Sequence, residues 1–205
     1  MNVERLRAGA ARLGRTLDAS TLDRFATYFR LLSLWGHRIN LTAHRDEHAV
    51  VTHHFLDSLV VVDTLPPLEP GRSVVDVGSG AGFPGMVIAL LRPDLRVTLV
   101  ERVQKKAAFL LTVSRELGVS VAVRACDVSK VEGPYDVAVS RAAFRPALWI
   151  PVGERLVAAG GWVFVMLGGR SPLPPPPAGF IEEVNKTYDV GGGARRILRW
   201  RRSPF

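Results

Sequence analysis

The sequence predicts an α/β fold: a doubly wound, mostly parallel sheet, closed by a C-terminal antiparallel hairpin and preceded by an N-terminal helical cap. Three observations carry that expectation. Val74-Val75-Asp76-Val77 is an apolar run holding one acid, followed by Gly78, Gly80 and Gly82 and then by the apolar stretch from Met86 to Leu91; this reads as buried strand, glycine turn and helix. Val97-Thr98-Leu99-Val100 is a second buried strand, closed by Glu101. Strand and helix patterns then alternate as far as Leu167, which implies parallel strands joined by right-handed crossovers.

Taken in order, residues 2–14 have the pattern of a short basic helix. Ser20 or Thr21 is placed to cap a second one, on which Leu22, Phe25, Phe29, Leu32 and Trp35 recur at helical spacing with Tyr28 beside them. A stripe of this kind faces a core; the alternative is a platform for stacking RNA bases. Gly36 ends that helix, and Arg38-Ile39-Asn40-Leu41-Thr42 is a connector. Residues 46–65 read as a further helix, with Val50, His54, Leu56, Leu59 and Val60 loosely periodic, stopped by Pro66-Pro67. The cap is therefore expected over residues 1–70 and the sheet over 71–205. Within the sheet region, the helix after the glycine turn stops near Arg92-Pro93. A helix over 103–117 closes on Gly118, and a strand over 119–124 leads to Cys126-Asp127. Tyr135 to Val139 is a strand that leads into Ser140-Arg141. A helix from Pro146 is expected to end at Gly160-Gly161, before a strand from Trp162 to Leu167. A proline-rich connection over 171–179 precedes two segments, 180–188 and 195–201, that flank Gly191-Gly192-Gly193 as a hairpin.

The 205 residues carry a formal charge of +8 with a pI near 10.5, and arginine outnumbers lysine 23 to 4. Arginine forks onto phosphate and stacks on bases, which suits a nucleic-acid partner; a coding sequence rich in G and C raises arginine equally well. One cysteine, Cys126, leaves no disulfide framework and no cysteine metal site, and His53-His54 has no second cluster at ligand spacing, so no metal is expected. No run approaches the ~18 apolar residues of a membrane span, and the charged start lacks the apolar centre of a signal peptide. A cytoplasmic monomer with no membrane association is expected.

Gly80-Ala81-Gly82-Phe83-Pro84-Gly85 matches the dinucleotide fingerprint GxGxxG, and the helix that follows is expected to offer unpaired N–H groups at the turn. An NAD-dependent oxidoreductase is one reading. Asp76 argues against it, because a carboxylate at the mouth of the turn would repel a pyrophosphate. S-adenosylmethionine carries an ammonium and a sulfonium and no phosphate, so the same carboxylate becomes favourable, and the additional Gly78 fits that cofactor's loop better. Glu101 lies 21 residues beyond Gly80, where an acid grips ribose hydroxyls. Asp127, ending the next strand, is placed to meet the adenine amino group. The alternative for Asp76 is a cap on the turn, and for Asp127 an ordinary loop acid.

DVGSGAGFPG from Asp76, INLTA over 39–43, HHFLDSL over 53–59 and YDVAVSRA over 135–142 together resemble the bacterial small-subunit ribosomal RNA methyltransferase G family, also called the glucose-inhibited division protein B family. The resemblance runs from about residue 35 to 167. It implies a class I, Rossmann-like methyltransferase fold, S-adenosylmethionine as cofactor, and methylation of a guanine N7 in the 530-loop region of 16S rRNA, on the small ribosomal subunit or its precursor. By motif position it implies cofactor contacts at Gly78, Phe83, Cys126, Asp127 and Arg141. Asp76, Gly80 and Glu101 come from the cofactor argument above. Two departures stand out. Similar proteins often carry Lys-Gly where Leu167-Gly168 stands, which removes a cationic contact. Where relatives often carry Glu or an uncharged pair, Cys126-Asp127 stands, so the backbone is a surer contact than the side chains.

The acceptor is narrowed separately. Amino-group methyltransferases usually carry Asn/Asp-Pro-Pro-aromatic after the fourth strand, where Ser140-Arg141-Ala142 stands here, and pyrimidine C5 methylation needs a cysteine nucleophile. Guanine N7 has an in-plane lone pair and no proton to lose, so no general base and no catalytic acid is expected. Arg141 is expected to position ligands, with a salt bridge to Asp76 or Glu101 as its competing role. Asp57 is expected to be structural, while His53 and His54 either shape the acceptor pocket or lock the cap. Arg195, Arg196, Arg199, Arg201 and Arg202, with Trp200 among them, and Arg12 and Arg15 are candidates for RNA contact; Arg195, Arg199 and Arg201 share one face of a strand. A solvated edge strand is the alternative there. A non-catalytic RNA-binding protein is the remaining alternative for the whole chain.

Overall fold

The computed structural model describes residues 1–43 and 46–204. Seven strands, β1 (Ser73–Val77), β2 (Arg96–Val100), β3 (Val121–Arg124), β4 (Tyr135–Val139), β5 (Val157–Gly168), β6 (Phe180–Tyr188) and β7 (Arg195–Arg202), form one sheet in the order β3-β2-β1-β4-β5-β7-β6. The strands from β1 to β5 pair in parallel, and β7 lies antiparallel between β5 and β6. Chain order reverses between β1 and β4, which opens a crevice at their carboxyl ends.

Side chains alternate across each strand, and the alternation sorts the interior into two layers. Val74, Val97, Leu99, Val137, Val139, Phe164 and Ile197 face one layer, together with the cap and two further helices, α5 (Gly85–Leu91) and α6 (Gln104–Leu117). Val75, Val77, Val100, Ala138, Val163, Leu198 and Trp200 face the other, against α7 (Pro146–Leu156). The cap holds α1 (Val3–Arg12), α2 (Ala19–Gly36), α3 (Glu47–Val50) and α4 (Asp57–Asp63). Its Leu6, Phe25 and Leu59 share a single cluster with Met86, Leu99 and Phe109 of the sheet layer. Each such side chain, fully buried, contributes about 1.5–3 kcal/mol.

Several boundaries differ from expectation. The cap of α2 is Asp18, whose carboxylate accepts the Thr21 N–H at 2.7 Å; Ser20 and Thr21 lie inside the first turn. The buried stripe of α2 is Leu22, Phe25, Tyr28, Leu31 and Leu32, while Phe29 and Trp35 are half-buried at its margin. The helix expected over 46–65 is broken by a π-helical segment, Val51–Leu56, between α3 and α4. The wider turn explains its loose periodicity, and such turns recur at functional sites. α7 stops at Leu156, and Gly160-Gly161 lies within β5, where the register against β4 jumps from Tyr135↔Val157 to Val137↔Trp162. A strand bulge and a helix end call for the same residues, so the pattern misplaced this one.

Candidate active site

A cavity of about 900 Å3 opens at the reversal point of the sheet. Its walls come from the ends of β1, β2, β4 and β5, from the loop after β3, and from the cap at Leu41, Thr42, His53, His54 and Asp57. Gly78, Gly80, Phe83, Glu101, Cys126, Asp127 and Arg141 all line it.

The glycine loop forms its floor. Gly78 has φ +70° and Gly80 φ +56°, left-handed values that L side chains adopt at a cost. A Cβ on Gly78 would come within 2.3 Å of the Ala143 Cβ, so only glycine lets the 141–144 loop settle there. A Cβ on Gly80 would meet nothing nearer than the Gly78 carbonyl oxygen at 3.8 Å, because the space beside it is cavity. Most of the amides expected to be unpaired are bound. Gly78 and Ser79 donate to the Val100 carbonyl, Gly82 and Phe83 to the Ser79 carbonyl, Gly80 to Glu101, and Gly85 to Asp76. A pyrophosphate site needs those N–H groups turned outward. This loop offers a ligand bare backbone instead.

Asp76 departs most from its expected place. It is wholly buried and lies outside the cavity wall. Its Oδ2 accepts the Gly85 N–H at 2.9 Å, holding the start of α5 against β1, and Oδ1 has no hydrogen-bond partner among the described residues. Burial raises its pKa to about 6, against the opposing pull of the Gly85 hydrogen bond and of Arg141. Glu101 does face the cavity. Its Oε2 accepts the Gly80 N–H at 2.9 Å and its Oε1 the Val103 N–H at 2.8 Å, so it ties the loop to the start of α6, and each oxygen keeps a second lone pair. Asp127 accepts the Ser129 N–H at 2.9 Å, a bond that lowers its pKa and keeps it anionic on the exposed side, with Cys126 beside it.

The opposite wall is organised by Asp57, which is 1% exposed. Its Oδ2 meets Arg141 Nη1 at 2.9 Å, and its Oδ1 meets both Arg195 Nη1 and the Tyr188 hydroxyl at 2.8 Å. Burial first, and then the Asp57 charge, push the Tyr188 hydroxyl far above the usual phenol range, so it remains a donor. Arg141 also donates to the His53 carbonyl at 2.6 Å and to His54 Nδ1 at 2.8 Å. Arginine has no acceptor, so Nδ1 holds the lone pair and Nε2 carries the proton that meets Thr42 Oγ1 at 2.6 Å. Phe83 stacks with Tyr28 and His54 at centroid distances of 5.1 and 4.9 Å, with the Arg141 guanidinium 5.3 Å from its ring. The ion-pair partner of Arg141 is therefore Asp57, and neither Asp76 nor Glu101. Asp57 has the structural part expected of it, and His53 and His54 both line the cavity and brace its arginines.

Tyr188 was not expected in the site, and Arg195, expected only as an RNA contact, joins it there; each meets Asp57 from more than a hundred positions away. The register Gly168↔Arg195 sets Arg195 beside Leu167-Gly168, so a cation borders that stretch of wall although no lysine stands in it. Of the arginines expected on an RNA-facing rim, Arg195 and Arg199 are taken up inside the fold, while Arg201 and Arg202 stay exposed. Arg195 and Arg199 do share a face, but β7 is an inner strand and that face packs beneath the cap. Arg199 donates to the Thr64 carbonyl and pairs with Glu183, Arg201 lies over Trp162, and Trp200 is completely buried. Arg202 donates to the carbonyls of Glu154 and Val157 on the other side. Arg15 in the cap pairs with Asp63.

The strand order and the cavity at its reversal define a class I methyltransferase fold. The chain superposes on the magnesium protoporphyrin IX methyltransferase of Synechocystis PCC 6803, solved with bound S-adenosylmethionine, with a TM-score of 0.61 at 16% identity, covering 92% of this chain and 99% of that one. Residues 21–172 match the family model GidB, rRNA small subunit methyltransferase G. Ribosomal RNA small subunit methyltransferase G of Anaeromyxobacter dehalogenans (strain 2CP-1) is 41% identical over 211 residues, 96% of each chain. That of Methylobacillus flagellatus is 39% identical over 168 residues, 80% of each. The chain belongs to the rRNA small subunit methyltransferase G family.

Proposed function

We propose that this protein transfers a methyl group from S-adenosylmethionine to the N7 of a guanine in 16S rRNA. The observation that carries the reading is the glycine loop itself. The N–H groups of Gly78, Ser79, Gly80, Gly82, Phe83 and Gly85 already donate to protein oxygens while Gly78 and Gly80 leave the cavity floor bare, which suits a cationic nucleoside donor better than a pyrophosphate. The same feature weighs against the NAD reading.

The residues divide the work. Glu101, with lone pairs toward the cavity, accepts ribose hydroxyls; Asp127 and the backbone at Cys126 border the adenine end; Phe83 and Arg141 shape the far end. Bound there, S-adenosylmethionine would supply a methyl group on a sulfonium, an electrophilic carbon that the in-plane lone pair of N7 could take with the sulfur as leaving group. N7 has no proton to give up, so no side chain has to accept one. Alignment is the main contribution of the protein, roughly 7–11 kcal/mol in favourable cases. Positive charge passes to the purine, and Asp57 offsets one of the two arginine charges beside it. The test is transfer of labelled methyl to small subunits that lack the mark. Wild type is expected to label one guanine at N7 and Gly80→Asp, which fills the donor floor, to label none. Label at an amino group, or no label in any assembly state and salt, contradicts the reading.

A further inference from the structure

The acceptor base needs a surface to lie on. A purine inside an A-form helix hides its N7 in a deep, narrow groove, so a guanine that reacts there must be splayed out and stacked on a protein group. The aromatic side chains of the cavity wall differ in what they have left to offer. Phe83 is 3% exposed and already stacked with Tyr28 and His54; Tyr188 is 8% exposed and bound to Asp57 through its hydroxyl. Phe144 is half-buried, lines the cavity, and rests on Trp149 with ring centroids 6.2 Å apart and planes 26° from parallel.

Its position is set by the backbone around it. Ala142 takes φ +56°, a left-handed value that a non-glycine residue holds only when its surroundings impose it. Ala143 then packs onto Gly78, and the Phe144 ring edge lies 3.8 Å from where a Gly78 Cβ would be. Phe144 is thus carried to the glycine floor from the β4 side of the sheet. Arg145 follows it and is exposed.

We propose that Phe144 is the stacking platform for the acceptor guanine. This inference rests on the methyltransferase reading above and adds the residue that holds the substrate. An aromatic face also suits the reaction, because the purine gains positive charge as it is methylated and a π-face attracts a cation without contributing charge of its own.

The test compares Phe144→Leu, which keeps apolar contact with Trp149, with Phe144→Tyr, which keeps the ring. Small subunits lacking the mark serve as substrate, and a short RNA with 2-aminopurine at the target position, mixed with S-adenosylhomocysteine, reports stacking by fluorescence quenching. Phe144→Leu is expected to lower kcat/KM for RNA about 10- to 100-fold and to abolish the quenching, with cofactor affinity unchanged; Phe144→Tyr is expected to stay within a few-fold of wild type on every readout. Unchanged kcat/KM and quenching in Phe144→Leu overturn the proposal while wild-type transfer leaves the methyltransferase reading standing. Weakened cofactor binding in Phe144→Leu also overturns it, by moving the ring to the donor side. Failure of the wild-type protein to methylate removes both.

Discussion

Asp57 shows what a single buried charge does in this site. It satisfies two arginines and a tyrosine hydroxyl while almost wholly shielded from water, so its removal leaves two partly buried arginine charges without their carboxylate. Asp57→Asn preserves the shape and deletes the charge; a loss of about 3–5 kcal/mol in urea unfolding is expected, and a loss below about 1 kcal/mol would show that the arginines are satisfied without it. Asp76 gives a prediction in pH. Its folded pKa, near 6, lies above the ordinary 3.8, so the folded state binds the proton more tightly than the unfolded chain. The stability associated with the protonated form is complete below pH 3.8 and is lost as pH rises to about 6, by up to about 3 kcal/mol. The difference in unfolding free energy between wild type and Asp76→Asn should therefore change across that window and be level above it; a flat difference from pH 3.5 to 8 contradicts the assignment. These two residues also separate what was legible in the sequence. Gly78 and Gly80 announce themselves because a turn is a local event. The nearest in sequence of the Asp57 partners named above, Arg141, lies 84 residues away and Tyr188 and Arg195 lie further still, and no spacing rule reaches that far.

At the scale of elements, composition proved ambiguous wherever one pattern serves two structures. Alternating arginines on 195–201 describe an exposed edge and an inner strand beneath a polar cap equally well; the choice depends on which strand ends up outermost, and that is β6. Arg199, paired with Glu183 and the Thr64 carbonyl at 14% side-chain exposure, is a bracket between cap and hairpin. Arg199→Gln should lower the melting temperature and leave the salt dependence of RNA binding unchanged. A fall of about 0.7–0.9 in the log–log slope would mean that the side chain neutralises a phosphate after all. The π-helical segment was invisible for another reason. Its residues are ordinary, and nothing in their order marks the widened turn, although His53 and His54 within it and Asp57 just after it all line the cavity.

At the scale of the whole molecule, the order of the strands makes the site. Reversal between β1 and β4 opens the crevice, two side-chain layers hold the sheet rigid beneath it, and the cap closes one side by sharing the core of the sheet. The alternation of strand and helix was readable because each crossover leaves its own periodicity. Which ends converge on one cavity was readable only at the glycine loop and the strand-end acids. The glycine loop is a floor for a cationic nucleoside, with six of its amides already bound to protein oxygens and so withheld from a phosphate. Calorimetric titration of the wild-type protein with S-adenosylmethionine and, separately, with NAD tests this directly. One molecule of S-adenosylmethionine per chain and no heat from NAD is the predicted result; saturable binding of NAD with none of S-adenosylmethionine would contradict it.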